Sequence, residues 1–101
     1  MSIFSKRLKV ARKAAGLSQE RLGVLAGIEE ASASARMNQY ENGKHEPGEA
    51  TVLAIARVCG LPAAYFYCEH DDEAELLGLF HKLKRGQRGE VLSVAKALAG
   101  L

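Results

Sequence analysis

The sequence predicts an all-α fold, a unit of five short helices followed by two additional C-terminal helices. Three observations carry this expectation. Of 101 residues 48% are hydrophobic, yet only three are Phe, three Tyr and none Trp, so the core must come from Leu, Ile, Val and Ala. That is the composition of packed helices rather than of a β-sandwich. Apolar residues recur at helical spacing in segment after segment. Glycines 16, 27, 43 and 60 fall where those segments run out, as helix stops do. The length fits one compact domain. A chain this short buries a little less than about two-thirds of its unfolded surface, so the monomer should be marginal and pairing with a second copy would help.

The elements follow in order. Over residues 4–15, Phe4, Leu8, Ala11 and Ala15 share one helical face and Lys6, Lys9 and Lys13 another, with Gly16 as the stop. Ser18 is a good N-cap for a short second helix, Glu20 suits its positive end, and Leu22, Leu25 and Ala26 form its stripe up to Gly27. After Ile28, the residues Ala33, Met37 and Tyr40 stand at i, i+4 and i+7 on a third helix that Asn42-Gly43 ends. Pro47 and Gly48 open a fourth, in which Val52, Leu53, Ile55, Ala56 and Cys59 are apolar, and Gly60 closes it. A single turn around Ala63–Tyr67 completes the first unit.

The acidic run Glu69, Asp71, Asp72, Glu73 and Glu75 then reads as a linker plus a helix N-terminus. It sets the expected division into residues 1–69 and a helical extension over 70–101. Leu76, Leu77, Phe80 and Leu83 line a sixth helix, with Lys82, Lys84 and Arg85 at its negative end. Gly86 and Gly89 are expected to bracket a turn before a last helix carrying Val91, Val94, Ala95 and Leu98. No internal repeat or low-complexity segment is present.

The net charge of +2 conceals an asymmetry: eight Lys/Arg against five Asp/Glu over residues 1–47, and six against seven over 48–101. No acidic residue precedes Glu20, so the first helix should present a basic surface suited to phosphate. Lys6, Arg7, Lys9, Arg12 and Lys13 interrupt the N-terminus before any apolar signal region can form. The longest uncharged apolar stretch, Val58 to Cys68, is about half the roughly 20 residues that span a bilayer and contains Pro62. Cys59 and Cys68 therefore read as reduced thiols, and the expected setting is cytoplasmic. Cys68, His70, Asp71 and Asp72 lack the paired spacing of a zinc site. His45 and His81 are isolated, and no nucleophile–base arrangement or phosphate-cradling Gly loop occurs. The expectation is a protein without catalytic residues, cofactor or metal.

Gly16-Leu17-Ser18-Gln19-Glu20, then Leu22 and Ala26-Gly27-Ile28, then Met37-Asn38-Gln39-Tyr40-Glu41-Asn42-Gly43-Lys44 and Pro47, resemble the lambda-repressor-like (Cro-like, Xre-like) helix-turn-helix family over about residues 4–67. The resemblance implies that the second helix crosses the DNA backbone while the third enters the major groove with base-reading side chains. It places Gln19 on a phosphate and Ser34, Ala35 and Gln39 on base edges, with Arg36 and Asn38 flanking them. Asn42, the backbone near Gly43, and Lys44 resemble a second phosphate clamp, with Lys6, Lys9 and Lys13 as outer electrostatic contacts. Glu41 matches a position that pairs with an Arg of the first helix, here Arg12, and Gly23 one where two helices cross too closely for a larger side chain. Gln amides pair with adenine, Ser with several bases, and Ala only with a thymine methyl. Arg36 suits either a guanine or a phosphate.

One departure stands out. Between Gly27 and Glu41 this chain is longer than the family's motif by about four residues, one helical turn. Either the turn is enlarged or the recognition helix starts earlier, and an enlarged turn is the preferred reading, with Ser32 as N-cap and Ser34 and Ala35 in the first turn. The function implied is a bacterial or phage transcriptional regulator, a repressor that binds an inverted repeat of double-stranded DNA as a homodimer. The alternative is an antitoxin or interaction module whose protein partner docks on the C-terminal helices.

Overall fold

The structure, a computed structural model, describes residues 2–101, all in helices and the turns between them. The order is α1 (Ile3–Ala14), α2 (Gln19–Leu25), α3 (Glu30–Glu41), α4 (Glu49–Cys59), a one-turn 3-10 helix (Ala63–Tyr67), α5 (Asp71–Lys82) and α6 (Arg85–Ala99). Among the described residues no helix is long and apolar enough to cross a membrane.

Local chemistry sets the starts of the first two helices. The Ser2 hydroxyl accepts from the Ser5 N–H at 3.1 Å and the Ser18 hydroxyl from the Arg21 N–H at 3.0 Å, so each serine satisfies a donor the helix cannot. The core lies where α1, α2, α3, α4 and the 3-10 helix converge. Phe4, Leu8, Leu22, Met37, Val52 and Ile55 form one buried cluster with Phe66, whose ring lies 5.7 Å from that of Phe4 and edge-on to Tyr65 at 5.3 Å. Each fully buried side chain of this size contributes about 1.5–3 kcal/mol.

The C-terminal extension attaches in two ways. Ala74 of α5 is buried, and Gly78 faces Leu61 so closely that a Cβ there would stand 3.2 Å from the leucine methyl. Arg7 of α1 is buried at 4% exposure and reaches the start of α5. The helix periodicity concealed this role, which is unlike the basic surface expected for α1, although Arg7 sits beside Phe4, Leu8 and Ala11 on the apolar stripe.

α6 departs from the expectation at its beginning. Gly86 and Gly89 lie inside the helix, and the turn consists of Leu83 and Lys84 alone. The Lys84 N–H donates to Gln87 Oε1 at 3.0 Å, while Arg88 donates to the carbonyls of Phe80 at 3.1 Å and His81 at 2.7 Å, so polar closure of the α5 end outweighs the low helix propensity of glycine. Likewise, the acidic linker shrinks to Cys68, Glu69 and His70, because Asp71 already belongs to α5. No residue of α6 is buried. The molecule measures 50 × 26 × 22 Å, with a radius of gyration of 15.1 Å. A compact chain of this length would have about 13 Å.

Candidate nucleic-acid interface

α2 and α3 cross at Gly23. A Cβ at that position would lie 2.9 Å from Ala33 Cβ and 3.1 Å from Met37 Cγ, so the two helices touch where neither partner can give way cheaply. The chain leaves α2 through Gly27 at φ +95°, a conformation natural only to glycine. The Gly27 N–H donates to Val24 O at 3.0 Å and the Ile28 N–H to Gly23 O at 2.9 Å, and Ile28 packs against the core. These bonds satisfy the last carbonyls of α2 and fix a turn of ordinary length.

The additional residues therefore lengthen the helix and not the turn, contrary to expectation. α3 begins at Glu30 with Glu29 as its N-cap, and Ser32 is inside it, its N–H bonded to Glu29 O at 2.9 Å. Glu30 suits the positive helix end and Ala31, Ala33 and Ala35 are strong helix formers, which outweighs the single capping advantage of Ser32. Ser34 and Ala35 consequently lie in the second turn of α3.

Ala33, Met37, Tyr40 and Glu41 are the buried residues of α3. At about 100° per residue, Ala35, Asn38, Gln39 and Asn42 fall on the opposite face, with Ser34 on the flank nearer α2 and Arg36 on the other. Ser34, Ala35, Arg36, Asn38, Asn42 and Lys44 are exposed, and Gln39 and Gln19 partly so. Arg36 lines a shallow groove with Glu29, Ser32 and Thr51 and makes no ion pair with Glu29 or Glu30.

The α2 side is held by a polar network. Arg12 donates to both carboxylate oxygens of Glu41, at 3.2 Å through its second amino group, and to Leu17 O at 2.9 Å. This is the expected pairing, and Glu41 is only 5% exposed. Gln19 Nε2 donates to Asn38 Oδ1 at 3.3 Å and to Glu41 Oε1 at 3.2 Å. Both donor hydrogens of Gln19 are thus taken up, and Asn38 is left with its own amide hydrogens free. An open cleft of about 520 Å³ runs along this edge, lined by Lys9, Lys13, Gln19, Asn38 and Asn42 among others. Beyond α3, Asn42 Oδ1 accepts from the Lys44 N–H at 3.0 Å and shapes the loop that carries Lys44.

Not every expected cation gathers here. Lys6 points to the far side of α1, where its Nζ lies 3.3 Å from Asp71. Arg7 is in the same cluster, 2.9 Å from Asp71. On the cleft, α1 presents Lys9 and Lys13 beside Arg12, which is paired with Glu41. Asp71 is held below the usual carboxylate range by hydrogen bonds from Arg7 and Lys6. Burial pushes the Cys59 thiol up. Among the described residues no cluster of three or more His, Cys, Asp or Glu could hold a metal ion.

A capped short helix, a glycine turn and a second helix with an amide-rich outer face between cations define a DNA-binding helix-turn-helix protein. The model of the helix-turn-helix domain matches residues 3–65, and the chain belongs to that family. It is similar in structure to the transcriptional regulator BswR, with 42% identity over 96% of this chain and 94% of that one and a TM-score of 0.86. That likeness extends through α5 and α6, beyond the residues of the family model. No curated protein sequence matches the chain.

Proposed function

We propose that the chain is a sequence-specific transcriptional regulator, a repressor, which inserts α3 into the major groove of double-stranded DNA and reads an inverted repeat as a homodimer in a bacterial or phage-infected cytoplasm. The observation that carries this reading is the outer face of α3, where Asn38, Gln39 and Asn42 present amides and Lys9, Lys13 and Lys44 stand nearby. Gln39 reads an adenine with its amide, Asn38 offers its free amide hydrogens to base acceptors, Ser34 contacts a neighbouring base, and Ala35 touches a thymine methyl. Arg36, placed on the flank beside Thr51, meets a phosphate. Asn42 and Lys44 clamp the backbone at the other end of α3. Gln19 reaches its phosphate by exchanging the Asn38 bond for it.

Dimerisation falls to the C-terminal extension. α5 and α6 enclose an apolar groove of about 440 Å³ lined by Leu76, Leu77, Phe80, Val91, Leu92 and Ala95, and Leu98 beyond it is 85% exposed. A second copy offering the same groove and stripe would cover both by two-fold symmetry. Two copies of α3 would then meet half-sites about 34 Å apart or a multiple of it.

The test is selection from a randomised duplex pool at about physiological salt, where backbone binding is weakened, with light scattering on the same sample. An inverted repeat and a dimer support the reading, and Gln39→Ala should lose preference at one base pair per half-site. No enriched sequence, or a monomer at micromolar concentration, overturns it. The same groove also favours a second reading, an antitoxin or interaction module with a different protein seated there, and stoichiometric recovery of that partner would carry it.

A further inference from the structure

The geometry points to Arg7 as a positioning residue: we propose that its clamp on the start of α5 fixes the angle between the reading head and the dimerising helices, and so selects the spacing of the two half-sites. The inference rests on the dimeric reading above.

Arg7 gathers three partners at one junction. Its Nε donates to Cys68 O at 2.9 Å, one amino group donates to Glu69 O at 3.3 Å, and the other lies 2.9 Å from Asp71 Oδ1. The guanidinium also stands 5.9 Å from the centre of the Tyr65 ring, and Lys6 holds Asp71 from a second direction at 3.3 Å. Cys68, Glu69 and His70 are the whole connection between the 3-10 helix and α5. Two of those three carbonyls are bonded by a side chain that is itself rooted in α1 and buried. A guanidinium is a rigid planar fork, so it fixes direction as well as distance.

The junction lies in an unbroken chain of packed elements. α3 rests on α1 through Met37 and Tyr40 in the common core, α1 holds the linker through Arg7, and α5 is seated by Ala74 and by Gly78 against Leu61. Packed or hydrogen-bonded contacts thus connect the base-reading helix to α5 at every step. Adding one base pair between half-sites rotates one relative to the other by about 35°. A dimer with stiff junctions cannot follow that rotation, whereas one free to pivot at residues 68–70 can.

The experiment places the half-site recovered from the duplex selection in inverted repeats whose centres differ by single base pairs, and measures the affinity of the full chain for each and for a lone half-site. Arg7→Met removes the whole fork at similar bulk. Arg7→Lys keeps the charge and the stem but not the planar fork that bonds both linker carbonyls, so it serves if Arg7→Met fails to fold. We expect the unaltered chain to prefer one spacing by about tenfold or more over its neighbours. Either variant should flatten that profile to within about threefold while lone half-site affinity stays within about twofold. A profile as sharp as before in a folded variant overturns the clamp while leaving the dimeric reading intact. Loss of lone half-site affinity in step with thermal stability assigns Arg7 to folding alone and also overturns it. An unaltered chain that is monomeric overturns both readings together, and a dimer indifferent to spacing overturns the clamp alone.

Discussion

Gly23 packs so tightly on Ala33 that an added Cβ would stand 2.9 Å from the alanine Cβ, and that contact leaves no room for adjustment by side-chain rotation. Gly23→Val should therefore cost about 1–3 kcal/mol of stability by overpacking, visible as a lower midpoint in chemical denaturation. The Arg12–Glu41 pair has a different failure mode. Glu41→Ala leaves the Arg12 guanidinium facing a buried space without its carboxylate and frees Gln19 from one of its two anchors. Loss of one partner of a buried pair costs about 3–5 kcal/mol, and the same denaturation experiment reads it. Much of this scale was legible beforehand. The Tyr40-Glu41-Asn42-Gly43 run gives the Arg12 pairing by position, whereas Arg7 escaped because its partners, two backbone carbonyls and Asp71, lie more than 60 residues away in sequence. An arginine on an apolar stripe was the only signal available.

The helices themselves show where pattern reading succeeds and where it stops. Their number and order follow from apolar spacing and glycine stops, because both act within a few residues of each other. The register of the extra turn before Met37 did not follow, since Ser32 and Glu29 are each acceptable starts. The earlier start is favoured by Glu30 and the alanines of the first turns together with the two hydrogen bonds that close the turn at Gly27 and Ile28. Similarly, Gly86 and Gly89 look like turn residues until Arg88 is seen tying α6 to the end of α5. Nothing lies within 4 Å of a Cβ built at Gly89. Gly89→Ala should accordingly stabilise α6 by about 0.5–1 kcal/mol, read as slower amide exchange confined to that helix. At the other end of the scaffold, Ser18→Ala removes the only side-chain cap of α2 and should cost about 1 kcal/mol.

The whole molecule is a compact head with a projecting arm, and the joint between them combines the packing of Ala74 and Gly78 with the charges of Lys6, Arg7 and Asp71. Asp71 ionises more readily in the folded chain than in the unfolded one, because Lys6 and Arg7 stabilise its charge. Its contribution is therefore complete above the ordinary carboxylate range of about 4 and is lost as pH falls below that range. Amide exchange in the first turn of α5 should quicken in that window while the core around Phe66 stays closed. This joint was the least legible part of the sequence, since the acidic run reads equally well as solvated linker.

The arm has a consequence for how long the protein survives. A helix with no buried residue opens easily, and Arg85 and Lys96 within α6 are exposed to a protease. Pairing would shield them. Limited trypsin digestion is thus expected to cut first in α6, and the proposed pairing would slow that cut as protein concentration rises. A regulator built this way would have a turnover coupled to its own abundance: scarce copies are cleared, and a population that has reached the pairing threshold persists.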